Sequence, residues 1–263
     1  MSNDSSIAGS VSSFLNIAAI LTLIAGLGIG LYALSGPLGV WFGLWTFRSG
    51  FDVLRVVNTY SDWIAGVGFL VTIIAFTGAK LIDLGNSSKL ASLALVGTIA
   101  AALAYFVPES FRAPEGTPGI HDITTNTANP PIYVAIAPLR ADAPNSMDYG
   151  AGNNMTPERL AGLQHEAFPE IVPQRFNEPV DQVFDRALEA VETLGWELVA
   201  AVPQEGRIEA TDTTFWFRFK DDVVIYITRE SNETVLNARS LSRVGGGDLG
   251  KNAARLREFF ALL

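Results

Sequence analysis

The chain has 263 residues, 49% of them hydrophobic and only 17% charged, with a net charge of −9, two histidines and no cysteine. The missing cysteine excludes disulfides, thiolate nucleophiles and cysteine-held zinc or iron–sulfur centres, and two histidines are too few for a histidine-rich metal centre. Soluble domains carry about a quarter charged residues, and the shortfall lies at the front: residues 1–110 hold four basic and five acidic residues, residues 111–263 the other 14 and 22.

Between Asp4 and Arg48 there is no charged residue. Phe14–Leu34 is a run of mainly Leu, Ile, Ala and Gly, long enough to cross a hydrocarbon core of about 30 Å. A signal peptide is not expected, because no basic region precedes the run and further apolar runs follow. Gly26, Gly28 and Gly30 mimic part of a dinucleotide fingerprint, but no strand precedes them, and Gly26 and Gly30, four apart, fit a small-residue face for close helix packing. In residues 37–55, PLGVWFGLWTFRSGFDVLR, the rings of Trp41, Phe42, Trp45, Phe47 and Phe51 alternate with Arg48, Asp52 and Arg55. Such density favours the headgroup level, so the segment reads as an interfacial helix or re-entrant link, with Trp41, Trp45, Arg48, Phe51 and Arg55 as membrane-interface contacts. Trp63–Ala79 and Leu90–Val107 are two further spans. Lys80 and Lys89 lie between them, and the positive-inside tendency makes that link cytoplasmic. Three spans then put the remainder of the chain in the periplasm, with the bacterial inner (cytoplasmic) membrane as the expected location. Arg48 and Arg55 fall on the other side and argue against that orientation.

Residues 111–178 are rich in Pro, Asn, Gly and Thr and read as a linker and irregular segment, with an exposed loop at 141–157 and an edge strand at Ile132–Ala137. From Pro179 onward Val180, Val183, Phe184, Ala187, Leu188 and Val191 recur at helical spacing, closed by Gly195. Strand-like runs follow at Trp196–Val202, Arg207–Thr213, Thr214–Phe219, Val223–Arg229 and Thr234–Ser242. A last helix spans about Leu249–Leu262. The expected fold is an α-helical membrane anchor (residues 1–110) plus an α+β soluble domain (179–263), an antiparallel sheet of four to five strands flanked by helices.

Two stretches hold more polar residues than such a fold needs. His121-Asp122 could be an acid/base pair, though neighbours in an extended chain more often tie down a loop. From Arg239 to Asn252 a strand ends, a glycine-rich loop follows and a helix begins. Arg239, Ser242, Arg243, Asp248, Asn252 and Arg255 are candidates for holding an anionic ligand; the alternative is that Asp248 caps the last helix and the arginines pair with acids such as Glu209, Asp221 or Asp222. Asp221 and Asp222 fall in an expected hairpin turn and read as solvated. No Walker lysine and no G-x-S-x-G elbow is present. The acidic second half excludes nucleic acid as the main partner, and no cofactor or metal is implied.

HDITTNTANPP, GWELVA, GRIEATDTTFWFRFKDDVVI and ARSLSRVGGGDLGKNAARLREF, in this order over residues 119–263, resemble the bacterial family called domain of unknown function 1499. Gly43–Phe51 resembles the GLW-x-FR-x-GF stretch of its membrane-anchored members. The family has Asp where Asn126 stands. The resemblance implies the fold and the motif residues, among them Thr124, Thr125, Trp196, Glu209 and Lys220, but no reaction. The sequence therefore leads to a non-enzymatic envelope protein that meets the lipid bilayer and a protein partner as an accessory subunit. The alternative is an envelope hydrolase or isomerase with His121 as base and Arg239 or Arg243 as anion clamp.

Overall fold

The structure is a computed structural model that describes residues 2–81, 87–152 and 154–263. It divides into two compact units, Met1–Arg112 and Ala113–Leu263.

The first unit is three helices: α1 (Ser2–Trp41), α2 (Phe47–Leu81) and α3 (Ser87–Glu109). Stretches of 33, 32 and 22 residues within them are long and apolar enough to cross a membrane, and each expected span lies inside one of the three helices. Their outward side chains are large and apolar, including Phe14, Leu21, Trp63, Leu70 and Phe106, each more than half exposed. A surface of this kind is stable in lipid and not in water. Small residues line the contacts between the helices. A Cβ on Gly26 would stand 1.9 Å from the Gly97 carbonyl oxygen, and one on Gly30 would reach Ala100, whereas Gly28 faces open space. Thr22 and Thr98 bury their hydroxyls by donating to carbonyls one turn back, those of Ala18 and Ala94. Residues 37–55 do not make a separate helix. Pro37–Trp41 ends α1, and Phe47–Arg55 forms the first turns of α2, which runs on unbroken. The turn between is fixed by Trp45, whose indole donates to the Gly36 carbonyl and lies where a Gly39 side chain would be. At about 1.5 Å per residue α2 exceeds the hydrocarbon thickness, so the ion pair of Arg55 with Asp52 does not have to lie in hydrocarbon. Residues 82–86 of the lysine-flanked link lie outside the described residues.

The second unit is an antiparallel sheet of six strands with helices on one face. The strands are β1 (Asp122–Thr124), β2 (Gln174–Phe176), β3 (Glu197–Val202), β4 (Arg207–Thr213), β5 (Lys220–Glu230) and β6 (Glu233–Ser242), in the order β1-β6-β5-β4-β3, with β2 also on β6. Helix α4 (Pro157–Ala167) precedes β2, α5 (Val180–Thr193) precedes β3, and α6 (Lys251–Phe260) follows β6. Val183, Phe184, Ala187 and Val191 of α5, with Leu256 and Phe259 of α6, bury their apolar stripes against Ile208, Val223, Ile225 and Leu236. Gly195, at φ 71°, closes α5 in the left-handed conformation that glycine adopts without strain.

Three further sequence expectations need correction. Ile132–Ala137 is not an edge strand; the outer positions beside β6 belong to β1 and β2. Thr214–Phe219 is not a strand but the tight β4–β5 connection, closed by Thr214 N–H to Phe219 O at 2.8 Å. Phe215, Phe217 and Phe219 do recur with a period of two, but Trp216 falls between them, so no register can bury all four rings on one face. Asp221 and Asp222 are not solvated: they begin β5 and are buried, because arginines from elsewhere in the chain reach them.

Candidate functional site

Antiparallel pairing brings the two polar stretches together. Asp122, Ile123 and Thr124 lie opposite Leu241, Ser240 and Arg239. The pleat then sorts side chains by parity. Ser240 and Ser242 face the helices, while Arg239, Leu241 and Arg243 share the opposite face, as the sequence indicated, together with Asp222, Val224 and Glu209 of the neighbouring strands.

A strap, residues 126–148, irregular except for one 3-10 turn at Ala137–Arg140, covers that second face. It is held by charge as much as by its small apolar contact of Tyr133 and Ile136 on Val224 and Leu241. Arg239, 2% exposed, donates to both oxygens of Asp122 (2.8 and 2.7 Å) and to the carbonyls of Pro131 and Met147. Its guanidinium also sits over the rings of Tyr133 and Tyr149. Asp222, fully buried, is a hub. It accepts from Arg140 (2.5 Å), from two nitrogens of Arg243 (2.9 and 2.8 Å) and from the Thr211 hydroxyl (2.7 Å). Glu209 accepts three successive backbone N–H groups, those of Val134, Ala135 and Ile136, and pairs with Arg207. The Tyr133 hydroxyl donates to the Asp222 and Arg239 carbonyls. Burial raises the Tyr133 and Tyr149 phenols well above their ordinary value.

A second polar cluster ties α6 to the helix-facing side. Arg255 spans Asp212 and Asp221, each at 2.7 Å. Asn252 accepts from Ser240 and donates to Ser242 Oγ and to the His121 carbonyl. Asp248 precedes the N-cap position, which Gly250 occupies, yet its two carboxylate oxygens accept the N–H groups of Gly250 and Asn252 at 2.8 Å each. Asp248 thus caps the helix as expected, but from two residues before the N-cap position, because the helix begins at Lys251. Burial raises the pKa of this carboxyl in spite of those two bonds.

The electrostatics have one pattern. Burial opposes the charge of Arg239 and of Arg255, but Asp122 in one case and Asp221 with Asp212 in the other outweigh it, and both guanidinium pKa values rise. Arg243, less buried, is raised first by its bonds to Asp222. A lone buried charge costs several kcal/mol in real proteins, and here each is matched by a carboxylate. Arg243 pairs with Asp222, one of the acids the sequence suggested. Arg239 pairs instead with Asp122, and Glu209 is held by Arg207 and the strap.

His121, Asp122, Asn145, Ser146, Asp148, Met155, Leu160 and Gly246 line a groove of about 470 Å³ at the β1 edge of the sheet. The His121 carbonyl receives the Ser242 N–H, which places His121 on the opposite pleat from Arg239 and Arg243. A base at His121 and an anion clamp at either arginine therefore do not face one site, and both arginines already hold carboxylates. In the first unit Arg48 lies over the Phe47 ring, and Trp41 and Phe51 are exposed. Among the described residues no group of three or more His, Asp or Glu could hold a metal ion.

Sequence reasoning missed Tyr133, Arg140, Gln164 and Asp212. Buried Gln164 of α4 accepts the Thr124 N–H (3.0 Å) and donates to its carbonyl (2.7 Å), acting as a strand partner for β1. No local pattern announces such a role. Asn126 accepts the Asn129 N–H in a turn, a bond an Asp could accept equally.

Fold and site together define a protein with an apolar three-helix unit and an α+β unit whose polar motifs form a buried ion-pair framework. The chain belongs to the family described as protein of unknown function (DUF1499), whose profile matches residues 122–263, just over half its length. No curated protein matches the chain.

Proposed function

We propose that this is a membrane-anchored, non-catalytic binding module, an accessory part of a membrane protein assembly, with residues 113–263 offering the β1-edge groove to a protein partner. The observation that carries the reading is the commitment of the motif arginines 239, 243 and 255 to buried carboxylates. These side chains hold the strap and α6 in place and are not free to act on a substrate. The groove at the β1 edge, where the two polar stretches meet, is concave, mixed in polarity and lined by small residues, which suits a segment of another chain. We place the helices in the bacterial cytoplasmic membrane and the second unit in the periplasm, on the lysine bias around the α2–α3 link.

The test is purification of the full chain from its native membrane in mild detergent, with mass spectrometry of what accompanies it. A stoichiometric companion that is lost from Ala151→Trp, which would fill the groove from an exposed lining position, and weakened by His121→Ala supports the reading. A wild-type chain that purifies alone, or a companion indifferent to both changes, overturns it.

A further inference from the structure

The two ends of the sheet differ. Antiparallel pairing of Asp212 with Asp221, Asp221 with Ser242 and Asp122 with Leu241 puts four features at one end: the chain arriving at β1, the β4–β5 connection, the β6–α6 loop and the start of β3. That end carries Phe215 at 62% exposed, with Leu249, Leu139 and Leu198 also exposed. Trp216, Phe217 and Phe219 are half-buried beside Phe215, and the side chains of Arg218, Lys251 and Lys220, the last 3.8 Å from the exposed Glu197 carboxylate, are exposed around them. The other end is polar and holds Glu205, Arg229, Glu230, Asn232 and Glu233.

The aromatic connection is braced by hydrogen bonds within it. Thr214 N–H donates to Phe219 O, Phe219 N–H to Thr214 Oγ1 at 2.9 Å, and Arg218 N–H to Thr214 O at 3.1 Å, with Arg218 held at φ 55°. The Phe217 and Phe219 rings stack with centroids 5.9 Å apart, and Phe215 meets Trp216 edge-on. A connection that only turned the chain would be polar. Fixed rings flanked by cations are the composition that enters the headgroup layer, where rings sit at the apolar boundary and Arg and Lys reach phosphates.

We propose that the β4–β5 tip, Phe215–Phe219 with Lys220, docks on the lipid surface of the bilayer that holds the anchor helices. Residues 110–121, which lead from the end of α3 to the aromatic end of the sheet, reach at most roughly 40 Å. That length bounds how far the tip can stand from the bilayer. The inference rests on the anchor spanning a membrane and not on what the groove binds.

The chain contains no cysteine, so single labels can be placed without further changes. Phe215→Cys, Arg218→Cys (which keeps every ring) and Asn232→Cys at the polar end are each labelled with an environment-sensitive fluorophore. The full chain is reconstituted in vesicles of phosphatidylcholine with phosphatidylglycerol. Nitroxides borne on lipid chains should quench labels at 215 and 218 several-fold more than at 232, and aqueous iodide should do the reverse. Equal iodide quenching at all three positions would overturn the proposal. Shielding of 215 and 218 from both quenchers would overturn it too, since protein would then cover the tip.

Discussion

The framework's central claim can be tested at Asp222. Asp222→Asn changes no volume, so it creates no cavity and isolates the charge. The carboxylate lies between Arg140, whose side chain is 1% exposed, and Arg243, at 16%. Without it Arg243 can turn partly to water, but Arg140 is left as an uncompensated buried cation. Removing one partner of a buried pair costs about 3–5 kcal/mol, and the amide cannot accept at both oxygen positions, so a loss toward the upper end is expected. That is a large share of a domain's usual stability of about 5–15 kcal/mol. Hydrogen exchange by mass spectrometry on the full chain in detergent would read it segment by segment. Protection should fall first in residues 137–147 and 239–243, with α1–α3 unchanged. Arg140→Met leaves Asp222 paired with Arg243 and should cost less, and the double variant should lose less than the two singles summed. If Asp222→Asn exchanges like wild type within about 1 kcal/mol, below the range for a broken buried pair, the ion pairs do not hold the strap and the reasoning fails.

Three further outcomes follow from the same structure. The phenols of Tyr133 and Tyr149 have pKa values raised on folding, so the stability they contribute is complete below about pH 10, the unfolded phenol value, and is lost as pH rises beyond it. Tyr133→Phe should shrink that alkaline loss in pH-dependent melting, at a cost of about 1 kcal/mol at neutral pH for the lost hydrogen bond; an unchanged alkaline profile would count against it. Gln164→Leu strips partners from both the N–H and the C=O of Thr124 and should cost about 1–3 kcal/mol for each unsatisfied group, seen as faster exchange at residues 122–124. In the anchor, Gly26→Ala drives a methyl into the Gly97 backbone and should cost about 1–3 kcal/mol, whereas Gly28→Ala meets nothing; equal thermal stability of the two variants in detergent would contradict the close helix contact.

What was legible in the sequence is what local periodicity writes. Helix α5 shows its 3.6-residue stripe and terminal glycine, and β4, β5 and β6 show apolar runs between turn residues. The apolar spans are legible because a bilayer imposes a length. The strap was not legible. Its Val134–Ile136 backbone is satisfied by Glu209, 73–75 residues away, and a tract rich in Pro and Asn carries no mark of that distant carboxylate. Asp221 and Asp222 were misjudged for the same reason: a pair of acids beside a lysine has the composition of a turn, and burial depends on Arg140, Arg243 and Arg255, which composition cannot place. The two polar stretches were found, but whether their arginines were open or engaged depended on register, which sets Asp122 two positions from Arg239 on one pleat.

The three adjacent amides of Val134, Ala135 and Ile136 converge on one carboxylate in the manner of a backbone anion receptor. In this protein the receptor's guest is Glu209, a side chain of the same polypeptide. A covalently attached guest has an effective concentration far above that of a free metabolite, so an external phosphate or carboxylate would have to displace it against that advantage and leave Glu209 buried without its donors. The receptor is therefore self-saturated, and it works as an internal latch between strap and sheet.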